Sequence, residues 1–427
     1  ARPHRRLGVA DPRLTQRRAP DVLLTTRAKG LAPGCRSTRH AMDLIAVLTC
    51  AVEAGASDIH LKLGQPPVAR LDGQLEQLPD FPPLSEQDLE SVLMEVTQLS
   101  PRRREMFEDT GDLDIAYSYP MLPRFRVNGF RQRGATSFAF RVIPSVIPSF
   151  DELGLPSGVA RLAQEHRGLV LVTGPTGSGK TTTLASMLDS INRQRRQHIV
   201  TVEDPIEILH PDRNCIVNQR EVGLDTASFE QALRRVLRQD PDIILIGELR
   251  DTETAHTALQ AAESGHLVFS TLHTIDAAET LGRMIEFFPA AKQPQIRSIL
   301  AGTLRGVISQ RLLPRVGGGR VPAIEVMVTN ARIQDLIREN RADEIVDAIE
   351  AGEFFEMQSF AQALIELVIG GAVDRDTAAN AATNRHDFLV ALEHAEKEQR
   401  AEEAELAAQA VDGKTQTNFS SLGSGLR

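Results

Sequence analysis

The sequence predicts an α/β protein of two unlike parts, a smaller α+β domain and then a parallel-sheet domain, with helices after it. Three observations support this. Alternating apolar and polar runs recur between residues 57 and 142, as in strands with one covered face. Short apolar runs then follow at Leu169–Thr173, His198–Val202, Ile243–Ile246 and Leu267–Ser270, the pattern of central parallel strands covered on both faces. Segments with helical spacing separate those runs.

The chain has 427 residues, 41% hydrophobic and 25% charged, enough for two to three domains with buried cores and unlike a disordered or fibrous chain. No apolar run reaches the ~18 residues needed to cross a bilayer, so no transmembrane segment is expected. The three cysteines, Cys35, Cys50 and Cys215, are scattered and odd in number, which excludes a disulfide framework or a four-cysteine zinc site. A reducing compartment is the simplest setting. Residues 1–41 hold nine Arg and one Lys against two Asp, a net +8, which leaves −17 for the remainder of a chain whose total is −9. So acidic a body argues against a nucleic-acid groove.

Residues 1–41 are rich in Arg and Pro and lack helical or strand periodicity. A disordered basic arm and a transit-like segment are two readings. The favoured one is an upstream extension, with the functional chain starting at Met42.

A first domain is expected over 42–145. Its opening helix ends near Gly55, and Ser57–Leu63 alternates as a strand. Pro66-Pro67 turns the chain, and Val68–Leu71 leads to Asp72-Gly73, a hairpin signal. Ser85 and Asp88 form a capping-box pattern ahead of a helix, and Asp112–Tyr117, Arg124–Phe130 and Thr136–Val142 alternate as further strands.

Pro144, Pro148 and Pro156 punctuate a linker placed at 146–156. The second domain is expected over 157–372. Phe229, Ala232, Leu233, Val236 and Leu237 form a helical stripe, and Gly265 closes a helix beginning near Thr252. After residue 290 the pattern reads as helical, broken at Pro314 and Gly317-Gly318-Gly319. The tail, 373–427, reads as a solvated Ala/Glu-rich helix over 393–411 and then a polar, disordered end.

The chemistry centres on Gly174-Pro175-Thr176-Gly177-Ser178-Gly179-Lys180-Thr181, which fits G-x-x-x-x-G-K-[ST] at every fixed position. A β-rich run precedes it and Thr182–Asn192 reads as a helix. Glycines let backbone N–H groups turn inward around phosphate oxygens; Lys180 is placed for the β- and γ-phosphates, and the Thr181 hydroxyl for Mg²⁺. The segment reads as a nucleotide-binding loop, with a Gly-rich turn before a helix as the competing reading.

Hydrolysis also needs carboxylates that orient water and help hold the metal. Glu248 follows the strand Ile243–Ile246, and Glu203-Asp204 follow His198–Val202 with Glu207 close behind. In open parallel sheets ligands bind beyond the carboxyl ends of strands, which places Glu248 and Glu203 at a shared Mg²⁺ and water site. A solvated loop acid is the competing role for each. His266 and His273 bracket Leu267–Ser270 and are candidates for sensing the γ-phosphate, although a lone strand-end histidine is more often structural. No metal-ligand spacing supports zinc.

Taken together these segments resemble the secretion ATPases of type II secretion and type IV pili. Four boxes match in order: the loop at 174–181, Thr201-Val-Glu-Asp-Pro-Ile-Glu207, Asp242-Ile-Ile-Leu-Ile-Gly-Glu248, and Gly265-His266 through Thr271-Leu-His-Thr274. Val217–Val222 and Glu248-Leu-Arg-Asp251 are also similar to family segments, over about residues 42–375. Ser57-Asp-Ile-His60 and Arg124-Phe-Arg-Val-Asn128 resemble the N-terminal domain of the pilus-retraction branch, and Ala331–Glu339 its retraction-associated box, with Gln334 and Asp335 departing from it. Gln310-Arg-Leu-Leu-Pro314 and the long tail are also similar to the accessory paralogue of that branch.

The resemblance implies a RecA-like ATPase domain preceded by a PAS-like domain. It implies a homo-hexamer working at the inner membrane, at the pilus base, on a platform protein, with a paralogous ATPase as a possible further partner. In such rings N-terminal arginines complete a neighbour's active site, and the candidates here are Arg124, Arg126 and Arg141; ordinary strand-face charge is the competing role. A pilus-extension or secretion ATPase is a rival reading, weakened by the absent zinc cysteines and the short N-terminal region. A DNA-handling ATPase is another, weakened by the acidic body.

Overall fold

The computed structural model describes residues 42–71, 73–143 and 146–401. The expectations for the leader, for Asp72, for Pro144 and for the polar end of the tail fall outside them.

The first sheet has six strands: β1 (Asp58–Lys62), β2 (Val68–Leu71), β3 (Gln74–Gln77), β4 (Asp112–Tyr117), β5 (Phe125–Gln132) and β6 (Ala135–Val142). They lie in the order β3-β2-β1-β6-β5-β4, every pair antiparallel. Helices α1 (Leu44–Glu53), α2 (Glu86–Val96) and α3 (Pro101–Thr110) accompany it. One face of the sheet supplies Ile59, Leu61, Phe125, Val127, Phe138 and Phe140 to a core shared with Val47 and Leu48 of α1 and Leu89 and Val92 of α2. The alternation is therefore that of a half-covered sheet. Ser85 and Asp88 form the reciprocal cap of α2. Helix α3 was not anticipated; it begins on a proline and its apolar stripe is reduced to Phe107.

Short helices α4 (Phe150–Leu153) and α5 (Ser157–Ala163) lead to a seven-stranded sheet. In chain order come β7 (Gly168–Thr173), α6 (Lys180–Gln194), β8 (His198–Glu203), β9 (Ile216–Glu221), α7 (Phe229–Val236), β10 (Ile243–Ile246), α8 (Thr252–Glu263), β11 (Leu267–Leu272), α9 (Ala277–Glu286) and α10 (Gln293–Thr303). Strands β12 (Leu304–Pro314) and β13 (Arg320–Val328) follow, then α11 (Ala331–Glu339), α12 (Ile345–Glu350), α13 (Phe360–Ile369) and α14 (Arg375–Ala381). The strand order is β13-β12-β7-β11-β10-β8-β9; all neighbours are parallel except β12 and β13. Every residue of β7, β10 and β11 is buried, which explains their continuous apolar runs.

The expectation of helix after residue 290 holds over Gln293–Thr303 and is corrected over 304–328. Residues 304–314 and 320–328 are the two longest strands of the molecule's described part, paired in an antiparallel hairpin. β12 lies between β7 and β13 and is covered on both faces through Gly306–Gln310, so burial of polar Ser309 and Gln310 breaks any two-residue period. Gly317, Gly318 and Gly319 have φ of 88°, 108° and 79°: they form the loop joining the two strands rather than a break between helices. β9 was also not read as a strand; it is an edge strand whose side chains are mostly half-exposed.

Beyond α11 the described residues form short helices joined by turns, the last helix covering residues 385–401. Phe360, Leu364, Val373, Phe388 and Leu392 pack with Leu313 and Ala323 as a small separate core at the outer end of the hairpin. Among the described residues, no helix is long and apolar enough to cross a membrane.

Candidate active site

The loop after β7 is shaped by its neighbours as much as by its own glycines. Gly174 has φ +137°, and a Cβ there would lie 2.3 Å from the Gln310 carbonyl oxygen, so only glycine fits. Thr173 donates to Ser309 Oγ at 3.0 Å, and Gln310 Nε2 donates to the Ser178 carbonyl at 2.5 Å. β12 therefore braces the loop from below. Lys180 Nζ donates to the carbonyls of Gly174 (2.8 Å) and Pro175 (3.2 Å), which holds the ammonium across the loop. Burial lowers the Lys180 pKa, and Glu207 opposes that shift. Ser178 Oγ and Gln310 Oε1 are buried without a hydrogen-bond partner. Helix α6 starts at Lys180, so its free N–H groups and positive dipole end face the same space. The arrangement suits a phosphate chain.

A cavity of about 710 Å³ opens over this loop. Thr176, Gly177, Gly179, Lys180, Thr181 and Thr182 form its floor. From the carboxyl ends of β8 and β10 come Glu203, Asp204, Glu207 and Glu248, and from the end of β11 comes His273. Glu203 is 8% exposed; Thr201 Oγ1 (2.6 Å) and Gln219 Nε2 (3.1 Å) donate to its Oε1. Burial raises its pKa, and those two hydrogen bonds oppose the shift. Glu248 is paired with Arg250 and, at 3.2 Å, with His273 Nε2. Burial first, then the charges of Lys180 and Arg250, lower the His273 pKa, so the ring is neutral at pH 7. A neutral imidazole on Glu248 fixes that carboxylate without neutralising it.

His266 is not part of this group, and the expectation for it is corrected. It precedes β11, its Nδ1 meets Ser264 Oγ (3.0 Å) and the Ala261 carbonyl (3.1 Å), and its own carbonyl receives the N–H of Gly168 at the start of β7. The cavity lies at the other end of the same parallel strands, one strand length away, or about 20 Å for the six residues of β11.

The arginines are also corrected in part. Arg126 and Arg141 face each other across β5 and β6 and line this chain's own cavity, so no neighbouring chain is needed to bring them there. Arg126 is held by Asp114 at 2.8 Å and Arg141 by Asp58 at 2.9 Å. Arg124 does something else: its guanidinium meets Glu221 Oε2 at 2.5 Å, with the two side chains 13% and 3% exposed. Glu221 ends β9, so this buried pair joins the two sheets. Arg103 adds a bond to the Val222 carbonyl at 3.2 Å. Arg124→Ala would leave the Glu221 carboxylate buried without its cation, and a loss of about 3–5 kcal/mol is expected in chemical unfolding. The double variant Arg124→Ala/Glu221→Gln should recover part of it; equal loss in both would show that the pair itself is not responsible.

Four residues of the site were missed. Arg250 lies two residues beyond Glu248 and pairs with it at the cavity. Gln310 is a polar residue inside a buried strand, a signal hidden by the misread hairpin. Leu312 and Arg320 reach the cavity from the two arms of that hairpin, which no local pattern announces.

Comparison with known proteins is consistent with this geometry. The profile of the family described as Type II/IV secretion system protein matches residues 40–366. The type IV pilus retraction ATPase PilT of Pseudomonas aeruginosa is 44% identical over 347 residues, covering 81% of this chain and 100% of its own length. The type IV pilus ATPase PilU of the same organism is 38% identical over 352 residues, covering 82% and 91%. The crystal structure of the pilus retraction motor PilT with bound ADP is similar at a TM-score of 0.75 and 45% identity, covering 81% of this chain and 98% of that one. With the phosphate loop, the strand-end carboxylates and this likeness over most of its length, the chain belongs to the type II/IV secretion system protein family.

Proposed function

We propose that the protein is an ATP-hydrolysing motor that drives retraction of type IV pili. The observation that carries this is the convergence of Lys180, Glu203 and Glu248 on one cavity in a chain that matches a pilus retraction ATPase along that relative's whole length. Lys180 binds the β- and γ-phosphates. Glu248, steadied by His273, orients the attacking water, and Glu203 is the supporting carboxylate. Arg126 and Arg141 offer positive charge to the γ-phosphate from the first sheet, so hydrolysis bears on how the two sheets sit together.

Mg²⁺, when bound, supplies charge neutralisation across the β- and γ-phosphates. The Thr181 hydroxyl is the residue that would hold it, with Glu203 and Glu248 acting partly through water. The donor set fits: among the described residues no cluster of three or more His, Cys, Asp or Glu forms an all-protein cage, and Mg²⁺ is commonly held by few side chains plus phosphate and water.

A homo-hexamer acting on an inner-membrane platform protein at the pilus base is part of the proposal, as are the units 42–145, 146–156 and 157–372. An accessory role beside a main retraction motor is the second reading. It is favoured by α11, where Gln334 and Asp335 depart from the retraction box and Asp335 pairs with Arg338 at 2.8 Å. The test is steady-state ATPase activity of the full chain with and without Mg²⁺, combined with light scattering after size exclusion, and retraction by a strain carrying it as sole motor. Mg-dependent turnover in a hexamer that retracts pili is the expected result. Turnover without retraction would favour the accessory role, and absence of turnover would sink the motor reading.

A further inference from the structure

Successive side chains of β12 leave the strand in different directions. Ser309 and Gln310 brace the phosphate loop, and Leu312 lines the cavity. Arg311 does not line it. Its guanidinium donates to the Ala381 carbonyl and to Thr383 Oγ1 (3.3 Å), and lies 4.3 Å from the centre of the Phe360 ring. It also comes within 3.5 Å of the Ile275 carbonyl. Phe360, Ala381 and Thr383 belong to the C-terminal helices and the turn after α14; Ile275 lies two residues beyond His273. One side chain therefore touches both the C-terminal region and the loop that presents the partner of Glu248.

Glu325 on β13 acts on the same loop. It is 3% exposed, and its Oε1 accepts the N–H of Ala277, the first residue of α9, at 2.8 Å. The groups facing it are Asp276, which caps α9, Arg311 on β12, and the Phe360 N–H on α13. Burial and Asp276 push its pKa up to about 7, against the pull of Ala277, Arg311 and Phe360. A buried carboxylate with so raised a pKa weakens the fold where it is ionised, and nothing in the cavity uses it.

We propose that Arg311 and Glu325 are positioning residues for turnover: from neighbouring strands they hold the His273–Ala277 loop against the C-terminal helices, keeping His273 on Glu248. This rests on the ATPase reading above. The placement of the C-terminal helices thereby bears on the rate through a path separate from nucleotide binding.

In the full-length protein, Arg311→Met is expected to lower kcat about tenfold with KM for ATP within about twofold, because a shift in a reacting group acts on the chemical step. Amide hydrogen exchange should accelerate over residues 274–280 and stay unchanged over 174–182. Glu325→Gln keeps the volume and an acceptor for Ala277. Wild-type kcat should fall as pH drops through about 7, where the carboxylate takes a proton and holds Ala277 less firmly; the Gln variant should lack that limb. A merely structural role would lower the melting temperature and leave the pH profile and the division between kcat and KM unmoved. Unchanged exchange at 274–280 in both variants overturns the proposal even if the wild type shows no ATP turnover, an outcome that defeats the functional reading separately.

Discussion

Lys180→Ala is expected to weaken ATP and ADP binding by roughly two to three orders of magnitude and to remove measurable turnover. The ammonium is held by two loop carbonyls, at 2.8 and 3.2 Å, directly over the N-terminus of α6. A hydrogen bond to a charged group contributes about 1.5–3 kcal/mol, and Lys180 is placed to make two to phosphate oxygens. Each 1.4 kcal/mol is about tenfold in affinity. The variant also removes the cation that Glu207 acts on, so phosphate would enter a less positive site. Fluorescent-nucleotide titration measures the loss. Affinity within a fewfold of wild type would mean that the loop backbone and helix end bind phosphate on their own, and that Lys180 acts only later.

Glu248→Ala should separate binding from chemistry: nucleotide affinity close to wild type, and kcat lower by about 10²–10⁴-fold, the usual contribution of a positioned acid or base. Glu248 is held between Arg250 and His273 and makes no bond to the phosphate loop. Its removal should leave the geometry around Lys180 in place. With Glu248 gone, Arg250 still has Asp204 at 4.0 Å, so the guanidinium is not stranded. Single-turnover assays alongside nucleotide titration decide the matter. Wild-type turnover in this variant would move the role to Glu203, whose buried carboxyl already has a raised pKa, and Glu203→Gln would then be the inactive form.

The difference between His273 and His266 shows how far local reading reaches. Both flank one apolar run, and the run itself does not say which end faces the phosphates. The parallel pairing of β11 with β7 does: ligands gather beyond the carboxyl ends, so the histidine after the strand joins the cavity and the one before it cannot. The same rule that places Glu203 and Glu248 at the cavity places His266 away from it.

The phosphate loop, the caps, the half-covered first sheet and the central strands were legible because each is a property of contiguous residues. Glycine at positive φ, apolar period and strand-end carboxylates all act within a few positions of one another. The hairpin of β12 and β13 was not legible, because burial on both faces leaves no period to read. Nor was the company kept by Arg126, Arg141, Arg311 and Glu325. Arg126 meets Arg141 through a register between two strands, and Glu325 meets Ala277 across 48 positions of chain. The residue sequence therefore determined which chemical groups the protein has and which local shapes carry them. Only long-range packing, where strand direction and register bring distant segments within bonding distance, settled which of those groups work together.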